Sequence, residues 1–244
     1  MKVKNNLFAA FLLTALTVFM ACEKNVISIP GDVPEGARVK FIHVCSDCPG
    51  LLVTANTKTV NPTAMTYGSA TVGAFPLSYY AVLPEGELAL DIIRSDSSKS
   101  ILATKINVVN GKYYSVYIGD TLKTPSISLI EDDVKAFQDT LFRLRFVNML
   151  SGTKKDTLEL WHQNAQKVIG ANVMYGKASE FTFIPSYASD TLFFRKVGTT
   201  VIYPLSTGII TTGGKAQTFT YLAFGLKNKT TGTQIARFSL WRNR

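Results

Sequence analysis

Histidine and cysteine are scarce in this 244-residue chain: there are two of the first and three of the second. Two histidines supply a Ser-His-Asp machine poorly. A closed zinc site wants four ligands, commonly Cys or His. Only His43, Cys45 and Cys48 lie close in sequence, and His162 is far along the chain. A haem attachment needs His directly after the second Cys, and Pro49 stands there. No His-Glu-x-x-His, Gly-x-Ser-x-Gly, Walker or dinucleotide glycine pattern occurs. Gly213-Gly214-Lys215 lacks the preceding glycine of a phosphate loop. Carboxylate pairs for glycoside hydrolysis meet only in space, and nothing singles one out. Charge is also sparse, at 18% of residues. Beyond residues 7–20 no apolar run approaches the roughly 18 residues of a membrane span. The expectation is a non-enzyme: no catalytic residue, no metal and no cofactor.

What is present begins at the N-terminus. Lys2 and Lys4 precede the apolar run "LFAAFLLTALTVFM" (7–20), then Ala21 and Cys22. Positive charge, a short apolar stretch and a small residue make a secretory signal. The segment resembles a bacterial lipoprotein signal of the loose Bacteroidetes type, although Phe19 stands where the usual pattern has leucine. In such proteins the cysteine, here Cys22, is acylated and becomes the new N-terminus. The plainer alternative is an ordinary secretory peptide with Cys22 incidental. Acyl chains stabilise membrane attachment by about 0.8 kcal/mol per buried CH₂, so a multiply acylated cysteine holds firmly. The resemblance implies a lipid-anchored cell-envelope protein, at the outer membrane, facing the periplasm or the exterior. Losing residues 1–21 removes two lysines and no acids, so net charge falls from +9 to +7. The basic residues are scattered and export removes nucleic acid from reach, so no nucleic-acid partner is expected.

Residues 22–36 hold two prolines and two glycines without periodicity and read as a tether. After it the chain repeats itself. "RVKFIHV" (38–44) returns as "RLRFVNM" (143–149), and "TYGSAT" (66–71) as "MYGKAS" (174–179). "VLPEGELALDIIR" (82–94) returns as "FIPSYASDTLFFR" (183–195). "NGKYYSVYIG" (110–119) returns as "GGKAQTFTYLAFG" (213–225), and "ISLIED" (127–132) as "FSLWRN" (238–243). The expected organisation is two tandem β-sandwich domains, 37–131 and 141–244, joined by an acidic linker at 132–140. Short alternating blocks bounded by Pro84-Glu85-Gly86, Asn110-Gly111 and Gly213-Gly214 argue strands and hairpins. Val39 and Phe41 are expected inward, Arg38 and Lys40 outward; Leu144 and Phe146 inward, Arg143 and Arg145 outward. Any helical turn falls near 131–140.

"ARVKFIHVCSDCPG", a Tyr-Gly, "LPEGELALDI" and a Gly-rich hairpin into "YYSVYIG" together resemble the domain-of-unknown-function family numbered 4397. Its pattern is roughly Arg-x-Arg-Phe-x-His-Ala-Ser-Pro-Asp-Ala-Pro, with Leu-Pro-Ala-Gly-Thr-Tyr further on. The resemblance covers 37–131 and, more weakly, 141–244. It implies an exported, often tandem, immunoglobulin-like or transthyretin-like sandwich, and no reaction.

The repeat bears on the candidate site residues. His43 aligns with Asn148, so both are expected to satisfy turn backbone groups. Cys45 and Cys48 are expected to form a small disulfide, or to stay free thiols in a reducing habitat. In "KYYSVYIG" alternation places Tyr113 and Tyr117 on one face, with Phe219 and Tyr221 equivalent in the second copy. Such an aromatic row either stacks on sugar rings or packs against the neighbouring domain. Asp-Thr-Leu occurs four times, which resembles the Bacteroidetes O-glycosylation acceptor at Thr121, Thr140, Thr157 and Thr191. The alternative is turn chemistry. The expected function is a non-enzymatic binding or structural module. The rivals are a glycan-binding accessory of an outer-membrane uptake system and a fimbria-like adhesive subunit. The expected partners are the membrane, and a glycan or another envelope protein.

Overall fold

Val, Ile, Phe, Tyr and Thr recur at alternate positions, and such side chains pack well on a pleated, half-buried surface. The computed structural model describes residues 35–70, 80–134, 141–185, 190–200, 202–203, 208–210 and 218–243, and among them there is no helix. The protein is all-β. The first nine strands are β1 (Ala37–His43), β2 (Leu51–Ala55), β3 (Lys58–Thr59), β4 (Ser69–Ala70), β5 (Ala81–Leu83), β6 (Gly86–Arg94), β7 (Ser100–Val108), β8 (Tyr113–Thr121) and β9 (Thr124–Asp132). They form a sheet in the order β4-β1-β8-β9, with β5 also on β1, and a second sheet in the order β3-β2-β6-β7.

The next nine are β10 (Phe142–Ser151), β11 (Thr157–His162), β12 (Lys167–Met174), β13 (Lys177–Ala178), β14 (Thr182–Ile184), β15 (Asp190–Lys196), β16 (Gly208–Ile210), β17 (Thr218–Leu226) and β18 (Arg237–Arg242). Their pairing repeats the first set: β13-β10-β17-β18 with β14 on β10, and β12-β11-β15-β16. In each half the central pair is parallel, β1 with β8 and β10 with β17. Arg38 pairs with Tyr113 and Arg143 with Thr218, so residues 38–44 correspond one for one to 143–149.

Each half has its own core between its two sheets. Val39, Phe41, Leu51, Val53, Leu90, Ile92 and Val116 belong to the first, and Leu144, Phe146, Leu158, Leu160, Phe194 and Tyr221 to the second. The inward expectation for Val39, Phe41, Leu144 and Phe146 therefore holds. A third cluster joins the halves: Ile42, Val44 and Tyr117 pack against Val147, Met149, Leu222 and Phe224. Through it Glu35–Arg244 form one compact unit. A side chain at Gly119 would meet Met149 Cε at 2.5 Å and Tyr175 Oη at 2.9 Å, so glycine lets the second half approach here.

The outward expectation needs correction. Lys40, Arg143 and Arg145 do leave the core face, but they are only 1%, 6% and 3% exposed. The reason is the third cluster: the five-stranded sheets of the two halves stack on each other, so both faces of each are covered. The acidic linker begins later than expected too. β9 extends to Asp132, whose carboxylate is fully buried. Residues 135–140, where a helical turn was expected, lie outside the described residues.

Candidate functional site

β1 ends at His43, and its ring is wholly buried. Nδ1 accepts the Cys45 backbone N–H at 3.2 Å, so Nε2 carries the proton and donates to the Pro49 carbonyl at 3.1 Å. Asn148 does the same in the second half. Its Oδ1 accepts the Leu150 N–H at 3.0 Å and its Nδ2 donates to the Val173 carbonyl at 3.1 Å. His43 holds the turn that follows β1, Asn148 ties the end of β10 to β12 and reaches Thr153 Oγ1 of the next turn at 3.4 Å, and neither ring nitrogen of His43 is left for a metal. Burial pushes the His43 imidazole down to about 4.

Ligand atoms of Cys45, Asp47 and Cys48 lie within 4.8 Å of one another, but the two cysteines are joined as a disulfide, Cα atoms 5.4 Å apart. A disulfide offers no thiolate to a metal. Asp47 instead accepts the Leu122 backbone N–H at 2.5 Å, which ties this turn to the β8–β9 turn.

The buried charges sit where the halves meet. Arg145 pairs with Asp132, and their side chains are 3% and 0% exposed. Arg145 also donates from Nε to Thr220 Oγ1 at 3.0 Å and from a terminal nitrogen to the Glu131 carbonyl at 2.8 Å. Asp132 accepts from Ser115 Oγ at 2.6 Å and from Tyr80 Oη at 2.8 Å. Lys40 reaches Tyr80 Oη at 3.3 Å. Burial lowers the Lys40 pKa, against the pull of Asp132. Burial raises the Tyr80 pKa, and the Asp132 charge adds to it. The duplication is legible here as well: Lys40 and Ser115 of the first half occupy the positions of Arg145 and Thr220 in the second.

The aromatic row divides. Tyr117 is 1% exposed and packs in the cluster between the halves, so it offers no stacking surface. Of the two alternatives for that face, packing applies to Tyr117. Phe219 and Tyr221 are not its equivalents. They pair opposite Leu144 and Phe146 and join the second half's own core. Leu222 occupies the Tyr117 position; a slip of one residue in alignment reverses the face of every side chain. Tyr113 is half-buried, at the edge of an open cleft of about 640 Å³ lined by Gly111, Lys112, Glu131, Asp132, Asp133 and Val134. The Arg38 guanidinium lies 5.5 Å from its ring centre and Tyr80 meets it edge-on at 5.1 Å. At the rim Glu131 pairs with Lys112 at 2.8 Å, and Asp133 with Arg143 at 2.8 Å. No motif marked this cleft, because its carboxylates come from the end of β9, far from Tyr113 in sequence.

Thr121 sits at the tip of the β8–β9 hairpin, while Thr157 and Thr191 lie in β11 and β15, half-buried. Thr140 and Cys22 lie outside the described residues.

The architecture defines an all-β protein of two stacked, like-wired sandwich halves. Residues 37–157 match the family model described as "Domain of unknown function (DUF4397)", a stretch that takes in β1–β9 and continues through β10. No curated protein sequence matches the chain. Among solved structures, a family 26 carbohydrate-binding module from Eubacterium rectale, in complex with maltoheptaose, is similar at 6% identity and TM-score 0.27, covering 85% of this chain and 97% of that one. A Bacteroides fragilis protein described as a candidate cell adhesion protein is similar at 9% identity and TM-score 0.22, covering 86% and 98%.

Proposed function

We propose that this is a non-enzymatic binding module of the bacterial cell envelope, lipid-anchored through Cys22 and built from two tandem sandwich domains. The Tyr113 cleft supports glycan binding as the ligand reading. A half-exposed aromatic ring can cover the apolar face of a sugar, and carboxylates beside it accept its hydroxyl protons. The buried charges serve the joint between the halves, and both histidines are fully buried, which supports a non-enzymatic role.

A glycan array on the mature chain carrying Cys22→Ser tests the ligand reading. Binding should weaken on the order of tenfold in Tyr113→Ala, because aromatic contacts contribute about 0.5–1.5 kcal/mol beyond the area they bury. An array without hits, or a hit indifferent to Tyr113→Ala, rejects it. Intact mass from the native host tests the anchor and the modification together. We expect residues 22–244 plus acyl groups, with further mass if Thr121, Thr140, Thr157 or Thr191 carries a glycan. A mass equal to the bare chain rejects both.

A further inference from the structure

A second cleft lies at the opposite end. Arg38 near the start of β1 is level with Tyr113, and β8 ends eight residues later at Thr121, roughly 26 Å away at strand rise. There the β8–β9 turn of the first half meets the β10–β11 and β17–β18 turns of the second. Between them is an open cleft of about 410 Å³ lined by Thr121, Thr124, Ser151, Lys227, Asn228 and Lys229, among others.

Four observations describe its chemistry. Ser151 is only 2% exposed, and its hydroxyl has no partner among the described residues. A buried hydroxyl left without a partner costs about 1–3 kcal/mol, so a bound acceptor is favoured there. The three nearby acids are already engaged, Asp47 by the Leu122 backbone N–H. Asp120 holds Lys154 at 2.5 Å and Thr124 Oγ1 at 3.1 Å, and Asp156 holds Lys196 at 2.8 Å and also Lys227. Each of the three turns then adds one exposed lysine with no acidic partner among the described residues: Lys123, Lys155 and Lys229. Finally, Asp120 takes a left-handed backbone, φ +67°, and a side chain at Gly152, φ +88°, would meet Lys227 Cβ at 3.3 Å. The left-handed backbone at Asp120, of a kind that Gly152 adopts without cost, is strain of the sort that collects at binding sites.

The lining carries Lys227 and Lys229 against one acid, Asp120, whose carboxylate is already engaged. We infer that this cleft is an oxyanion site that takes a phosphate or sulfate group, with Ser151 and Lys229 of its lining as donors and Lys123 and Lys155 of the adjoining turns adding positive charge. The group arrives free or as an ester on a saccharide. The site belongs to neither half alone, since Ser151 and Lys229 come from the second and Thr121 and Thr124 from the first.

The test is amide-resolved NMR titration of the mature Cys22→Ser chain with inorganic phosphate, inorganic sulfate and a sulfated oligosaccharide. Saturable shifts at Gly152 and Lys229 are expected, weakening as added salt screens the lysines. The Lys155→Ala/Lys229→Ala variant should bind at least about tenfold more weakly with unchanged thermal stability, consistent with the loss of about 1.4 kcal/mol. Ser151→Ala should also bind more weakly. Tyr113→Ala should bind as wild type does, which separates this site from the glycan cleft. Tighter binding of the oligosaccharide than of either ion assigns a saccharide-borne ester; equal binding assigns the free ion. No saturable shift with any of the three at millimolar concentration, or affinity unmoved in the lysine variant, overturns the inference.

Discussion

Replacing Arg145 by alanine is expected to lower the unfolding free energy by about 3–5 kcal/mol, the usual cost of leaving a buried charge without its partner. Asp132 would keep its bonds from Ser115 and Tyr80 and the weaker attraction of Lys40, but among the described residues no cation in hydrogen-bond contact would remain. Asp132→Ala should cost a similar amount by stranding Arg145. The pair itself need not be a net gain over apolar residues. Desolvating both ions offsets much of their attraction, so a double Arg145→Met/Asp132→Leu variant should lose less than the worse single variant. The pair also spans the two halves, so the single variants should loosen their coupling and broaden or split the urea transition. Urea unfolding of the four proteins checks both points. A loss in Arg145→Ala below about 1 kcal/mol, typical of exposed pairs, would falsify the buried joint.

Acid should destabilise the protein through His43. Its imidazole lies at about 4 when folded against 6.5 ordinarily, because burial disfavours the charged ring. Between those values the unfolded chain binds the proton and the folded chain does not, so stability rises with pH across that window. The contribution is fully present above about 6.5 and shrinks as pH falls, by on the order of 3 kcal/mol once pH 4 is reached. Carboxylates titrate at the lower end of the same range, so the informative quantity is the difference between wild type and His43→Asn. That variant installs the residue the second half already uses. Its stability should change less between pH 7 and 4 than that of wild type. Parallel curves would show that His43 is open to solvent.

The pairing of His43 with Asn148 shows how far sequence reasoning reached. A histidine and an asparagine at matched positions pointed to backbone hydrogen bonding, and both side chains accept the N–H two residues on. Strand type and the core face of β1 and β10 were equally readable, since alternation reports which residues face the nearer sheet. The position of β17 was not. Matching Gly119 to Gly225 at the end of the block displaced Phe219 and Tyr221 by one residue, and one residue is a whole face in a strand.

Local alternation and the internal repeat determined that the chain is all-β, that it is written twice, and which side chains of β1 and β10 face each sandwich core. Only the tertiary structure decided the fate of the opposite faces. Arg38, Lys40, Arg143 and Arg145 read as solvent-facing because periodicity cannot say what lies beyond a sheet. Three of the four are buried because a second sheet covers them. The same stacking removed Tyr117 from the surface, left Tyr113 at its edge, and brought Thr121 and Ser151 to one cleft. Those positions depend on long-range packing, and no run of neighbouring residues encodes them.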